Sequence, residues 1–120
     1  MDTKKWHEQI GKSIDSGNAD DFVTYLTEDA VFRFGNQPDV TGKPAIRDYV
    51  AAFFSMIKAS EQKVINYWTG NGSVVWQGEV TYTRLDDKKV TVNFTNIFYI
   101  SSNLIKDYLI YMDISPLFAS

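Results

Sequence analysis

From Gln62 onward the pattern changes toward a period of two, with strand-forming apolar residues on both faces, in runs of roughly 62 to 69, 73 to 85, 88 to 100 and 104 to 114. A period of two belongs to the β-strand, whose successive side chains point to opposite faces. The breaks between the runs, Gly70-Asn71-Gly72, Asp86-Asp87 and Ser101-Ser102-Asn103, are short and made of turn residues, so consecutive strands fold back on one another. This half of the chain is therefore committed to an antiparallel meander. A meander with apolar residues on its faces needs something laid against it, and the N-terminal half must supply that layer.

The N-terminal half carries the helical period. Thr3 can cap a first helix with Trp6, Ile10 and Ile14 on one side, ended by Ser16-Gly17. Asn18 can cap a second, with Asp21 three residues on and Phe22, Tyr25 and Leu26 on its apolar side. Ala30 to Phe34 reads as a strand. After the breaks at Gly35, Pro38 and Gly42, Pro44 suits the opening turn of a third helix, along which Ile46, Tyr49, Val50, Phe53, Phe54 and Ile57 share one face. The expected order is α-α-β-α-β-β-β-β, an α+β fold in which a curved antiparallel sheet wraps around three helices. At 120 residues with 44% apolar content, one domain spanning 1–120 is expected.

Composition narrows the chemistry. There is no cysteine, which removes thiolate nucleophiles, disulfides and thiolate metal sites and favours the cytoplasm. With a single histidine, His7, placed on the polar side of the first helix, neither a metal site nor a cofactor is expected. A net charge of −3 with scattered lysines argues against nucleic acid. The polar N-terminus and the lack of an 18-residue apolar run argue against a signal peptide and a membrane span.

Turn lengths predict cross-strand neighbours. A two-residue loop at Asp86-Asp87 pairs Leu85 with Lys88, and so sets Glu79 opposite Phe94 and Gln77 opposite Asn96. A three-residue loop at Ser102 to Leu104 then sets Met112 beside Phe94 and Ile110 beside Asn96. One face would carry Gln77, Glu79, Thr81, Val92, Phe94, Asn96, Phe98, Tyr108, Ile110 and Met112. The other would carry Trp76, Val80, Tyr82, Ile97, Tyr99, Leu109 and Tyr111. Two apolar faces on one sheet imply a second copy of the chain on the outer one, a homodimer through the convex sheet face.

The paired helices, VFRFGNQPDVTGKPAI ahead of the third helix, the strand QGEVTYTR and the closing YLIYMDISPL resemble the SnoaL-like branch of the nuclear transport factor fold superfamily. The resemblance implies a cone-shaped α+β barrel enclosing an apolar cavity, with Phe32 and Phe34 among its lining, and a convex face that commonly makes dimers. The fold hosts cyclases, isomerases, dehydratases, epoxide hydrolases and non-catalytic binding modules, so fold alone names no reaction. The site of limonene epoxide hydrolase, an Asp-Arg-Asp row with a Tyr and an Asn, falls here on Glu79, Gln77, Ile110, Phe32 and Phe34. Only Glu79 keeps a needed group, which argues against that mechanism.

Glu79 is the candidate catalytic residue, a carboxylate expected among Phe34, Phe94 and Met112, where desolvation would raise its pKa. Gln77, Asn96 and Tyr108 are candidates to polarise or orient a ligand, and Phe32, Phe34, Phe94, Ile110 and Met112 to line its pocket. Asp113 falls off the cavity and reads as a cap near the strand end. Trp68 could face either way. Two functions stay open: proton-transfer chemistry of the isomerase, cyclase or lyase kind on a small lipophilic, cyclic molecule, or non-catalytic binding of such a molecule or dimeric interaction.

Overall fold

The computed structural model describes residues 3–118, with side chains described for 5–118. The expected cap at Thr3 therefore lies outside the described side chains. Helix α1 (Thr3–Ser16) and helix α2 (Ala19–Val23) lead into strand β1 (Leu26–Phe34), the two-residue strand β2 (Val40–Thr41) and helix α3 (Lys43–Ser55). Strands β3 (Ile57–Gly70), β4 (Ser73–Arg84), β5 (Lys89–Ser101) and β6 (Leu104–Tyr111) follow, and a 3-10 turn (Ser115–Phe118) closes the chain. The fold is α+β, with a curved, unclosed six-stranded sheet in the order β2-β1-β6-β5-β4-β3, antiparallel as expected except where β1, joined to the meander through α3, runs parallel to β6.

The caps behave as their chemistry requires. Asn18 accepts from the Asp21 amide at 3.1 Å to start α2, and the Asp113 carboxylate accepts from Ser115 N at 3.0 Å to start the final turn. Helix α2 is shorter than expected, because Leu26 leaves the helix to open β1, where it is buried beside Ile105 of β6. Likewise Ile57 opens β3 instead of closing α3. In both cases burial in the sheet overrides a helical spacing that continues one turn too far.

The β4–β5 hairpin departs from the expected register, and the turn explains why. Asp87 adopts φ 71°, Asp87 N donates to Arg84 O at 3.0 Å, and Arg84 N donates to Lys88 O at 2.8 Å. Leu85, Asp86 and Asp87 therefore form a three-residue loop with a left-handed third residue. One extra loop residue shifts β4 by one, and a shift of one turns every side chain to the opposite face. Glu79 pairs with Asn93, Gln77 with Thr95, and Gly78 with Phe94. Gln77, Glu79 and Thr81 lie on the outer face, while Trp76, Val80 and Tyr82 lie inside and are buried.

The β5–β6 hairpin compensates for its own difference. Ser102 and Asn103, at φ 53° and 65°, form a two-residue loop, and a bulge beyond Tyr99 restores the expected pairing of Asn96 with Ile110. Gly78 has no room for a side chain: a Cβ there would come within 2.2 Å of the Lys63 carbonyl oxygen at the β3 bulge and 3.0 Å of the Phe94 ring.

The core fills the concave side. Trp76 and Phe98 are fully buried at its centre, with Trp6 edge-on to both at 6.0 and 5.3 Å between centroids. Helix α1 lies against β3, and α3 bridges from β1 and β2 to β3, so the helices roof the inner face.

Candidate functional site

Between α1, α2, α3 and the inner sheet face a narrow pocket remains, with about 50 Å³ of free space. Helices contribute Ile14, Phe22, Tyr49, Val50, Phe53 and Phe54. Strand β1 contributes Phe32 and Phe34, two residues apart and therefore on the same face. Ser60, Gln62, Tyr82, Asn96, Tyr108, Ile110 and Met112 complete the lining. The wall is mostly aromatic, and its rings meet edge-on or tilted. Phe32 lies 5.3 Å from Tyr108 and 5.7 Å from Tyr49, and Phe53 lies 5.6 Å from Phe34 and 5.7 Å from Tyr82.

Of the residues predicted from sequence, the structure brings Phe32, Phe34, Asn96, Tyr108, Ile110 and Met112 together in this lining. Phe94 shares their sheet face and is buried against Gly78 outside the lining. Gln77 and Glu79 are turned away: Gln77 is exposed on the outer face, where Asn66 donates to its Oε1 at 3.2 Å, and Glu79 is partly exposed opposite Lys63 and Asn93. The desolvation expected for Glu79 among Phe34, Phe94 and Met112 has no basis in this register. Trp68 is also on the outer face, 55% exposed.

Asp15 is not among the residues the sequence points to, and Tyr82 lies in the lining and not on the opposite sheet face. Asp15 follows Ile14 on α1 and lies behind the pocket wall. Its carboxylate accepts from the Gln62 amide at 3.1 Å and from the Ser60 hydroxyl at 3.2 Å. Burial pushes this carboxyl above the ordinary 3.8, against the opposing pull of the Gln62 and Ser60 hydrogen bonds. Burial also raises the Tyr82 and Tyr108 phenols far above the ordinary 10, with the Asp15 charge adding to both. Those phenols stay protonated and can donate. The Tyr82 hydroxyl faces Met112 Sδ at 3.8 Å.

His7, expected on the polar side of α1, is instead buried at 8% exposure. Trp76 Nε1 donates to its Nδ1, and the Tyr67 ring packs over it at 4.0 Å. An Nδ1 that accepts leaves the proton on Nε2, which is buried and meets no acceptor among the described residues. Burial lowers the His7 pKa. The missed signal was the row His7, Gly11, Asp15, spaced by four and adjacent to the apolar row Trp6, Ile10, Ile14. A helix lodged in a curved sheet buries a stripe wider than its apolar residues alone mark out. Among the described residues, no group of three or more histidine, aspartate or glutamate side chains stands together as a metal site.

Residues 8–108 match the SnoaL-like domain. The chain belongs to the SnoaL-like family. No curated protein matches the sequence. The fold of this SnoaL-like chain is similar to that of a protein with a ketosteroid isomerase-like fold from Catenulispora acidiphila, solved in complex with trimethylamine. The two share 12% identity and a TM-score of 0.85 over 93% of this chain and 88% of that one. It is also similar to a protein assigned as a SnoaL-like polyketide cyclase from Jannaschia sp. (16% identity, TM-score 0.78, 96% and 90% covered). An LEH-like epoxide hydrolase from M. tuberculosis shares the fold at 13% identity and TM-score 0.78 (95% and 84% covered).

At these identities the likeness carries the fold. The register corrects the residue-by-residue comparison with limonene epoxide hydrolase: Gln77 and Glu79 lie outside, so none of the five matched positions brings a charged group to the pocket of the SnoaL-like chain. Among the described residues no helix is long and apolar enough to cross a membrane.

Proposed function

We propose that this SnoaL-like chain binds a compact, mostly apolar small molecule in the aromatic pocket. The observation that carries the reading is the lining itself: eight aromatic side chains converge with a few polar groups, Ser60, Gln62 and Asn96, set among them. Free space of about 50 Å³ corresponds to roughly three to five water-sized positions, which favours a ligand of a few heavy atoms over a multi-ring one. Val50→Phe adds a ring to the buried α3 wall and should abolish binding of small probes such as tert-butanol and cyclopentanone in ligand-observed NMR. A folded wild-type protein that binds neither probe would sink the proposal.

Asp15 favours a second reading, proton transfer of the isomerase, cyclase or lyase kind. A carboxyl raised by burial and joined to the lining by the Ser60 hydroxyl can exchange a proton with the pocket through that hydroxyl. Deuterium exchange at the α-carbon of cyclopentanone in heavy water should then be accelerated by the wild type and not by Asp15→Asn. Equal rates in both would leave binding alone.

The outer face supports a homodimer. Ile97 and Leu109 pair there, and Trp68, Tyr99 and Tyr111 are each about half exposed beside them. Leu109→Lys should convert a dimer to a monomer by light scattering, and a monomeric wild type at micromolar concentration would count against this interface.

A further inference from the structure

The polar groups of the pocket differ in what they offer a ligand, and the difference selects its charge. Asn96 is 3% exposed, paired with Trp76 on one side and Ile110 on the other, and its Oδ1 is buried with no hydrogen-bond partner among the described residues. A buried acceptor left without a donor is costly, and in a pocket wall the missing donor is what a ligand can bring. Ring faces carry negative electrostatic potential, and Phe32, Phe34, Tyr49, Phe53, Tyr82 and Tyr108 gather around the same space. The Asp15 carboxylate stands one hydrogen bond behind Ser60, near enough that its charge opposes ionisation of Tyr82 and Tyr108. No lysine or arginine lies among the described lining residues, so an anionic ligand would find hydroxyl and amide donors but no counter-charge, with the Asp15 carboxylate behind Ser60 opposing it.

We infer that the ligand is a small protonated amine of the alkylammonium class, surrounded by the aromatic wall with its N–H donated to Asn96 Oδ1. The inference rests on the pocket being a ligand site, as proposed above, and adds the ligand's charge and its donor. A trimethylammonium-sized cation matches the few heavy atoms that the free space allows. It presents methyl groups to the rings and a single N–H to the orphaned oxygen. A neutral alcohol of the same shape can satisfy Asn96 equally well but gains nothing from the rings or from Asp15. Charge is therefore the property to test.

Three probes of nearly equal size separate the contributions. Trimethylammonium has charge and a donor, tetramethylammonium has charge alone, and tert-butanol has a donor alone. In ligand-observed NMR titrations at neutral pH, trimethylammonium should bind about tenfold or more tightly than tert-butanol, with tetramethylammonium between them. Asn96→Leu should erase the advantage of trimethylammonium over tetramethylammonium while leaving the protein folded, since it removes an unpaired acceptor. If that variant fails to fold, the wild-type ratio decides, and equal affinity of the two cations overturns the Asn96 contact. If tert-butanol binds as tightly as trimethylammonium, the inference fails and the pocket reading stands. If none of the three binds, both fail.

Discussion

Strand β4 has two rows of side chains with opposite fates. Val74, Trp76, Gly78, Val80 and Tyr82 face inward and are buried, whereas Val75, Gln77, Glu79, Thr81 and Thr83 face outward and are at least partly exposed. The inner row packs on α1 through Trp76 and on α3 through Tyr82, which also lines the pocket. The outer row meets Thr95, Asn93 and Thr91 of β5, with the Thr81 and Thr91 hydroxyls 2.9 Å apart. Val74, Trp76, Val80 and Tyr82 of the inner row and Val75, Thr81 and Thr83 of the outer row all suit strands, so propensity does not distinguish them. What separates them is one residue in the turn at Leu85 to Asp87. The contents of the site are thus decided at a solvent-exposed loop just beyond Tyr82, the β4 residue that lines the pocket.

Breaking the inner row should have the largest effect. Trp76 is fully buried, packs against Phe98 at 4.8 Å and donates to His7, so Trp76→Ala leaves both a cavity and an unpaired His7 nitrogen. A loss of about 3–5 kcal/mol is expected from urea denaturation. Its neighbour on the outer row, Gln77→Ala, should stay within about 0.5 kcal/mol. Similar losses for the two variants would mean that the rows are not distinct.

The second effect is smaller and depends on pH. Because burial lowers the His7 pKa below the ordinary 6.5, the folded protein gives up this proton more readily than the unfolded chain does. Its contribution is fully present above pH 6.5 and is lost as the pH falls from there toward the folded value, with a slope of at most about 1.4 kcal/mol per pH unit. Asp15 acts with the opposite sign on the acid side. Its raised pKa makes stability fall as the pH rises from 3.8 toward the folded value. His7→Gln keeps an acceptor for the Trp76 indole but does not titrate, so its urea midpoint should be flatter than the wild type's just below neutrality. Parallel curves would show that His7 is not buried at the α1–β4 contact.

These contrasts also mark what the sequence made legible. The α+β order, the third helix and the cavity positions of Phe32, Phe34, Asn96, Tyr108 and Ile110 follow from periodicity and a resemblance that spans most of the chain. Asp86-Asp87 signals a hairpin equally well with two loop residues or three: a two-residue type I′ loop needs a positive φ at both aspartates, whereas Asp87 alone adopts it and Arg84 N donates to Lys88 O across a three-residue loop. Gly78 held the missing clue. It lies opposite Phe94, and a glycine beside a large buried ring marks a close backbone approach on the inner face. Asp15 and His7 stayed hidden because helical periodicity assigns polar residues to solvent, whereas a helix roofed into a curved sheet buries its flanks as well.

The smallest expected effect is the sharpest check on the faces themselves. Glu79 lies in the outer row, partly exposed, with Lys63 and Asn93 as its cross-strand neighbours. A carboxylate at an exposed cross-strand position interacts with a lysine by about 0–1 kcal/mol at most, screened by salt. Glu79→Gln keeps the size and the hydrogen-bonding oxygen and removes only the charge. Urea stability should therefore change by no more than about 0.5 kcal/mol, and binding of trimethylammonium or tert-butanol should not change at all. Asp15→Asn is the paired variant, since the same removal of charge behind the pocket wall should weaken the cation and spare the alcohol. Were Glu79→Gln to abolish probe binding while Asp15→Asn left it intact, the carboxylate of the site would be on β4, and the strand would have to be turned over.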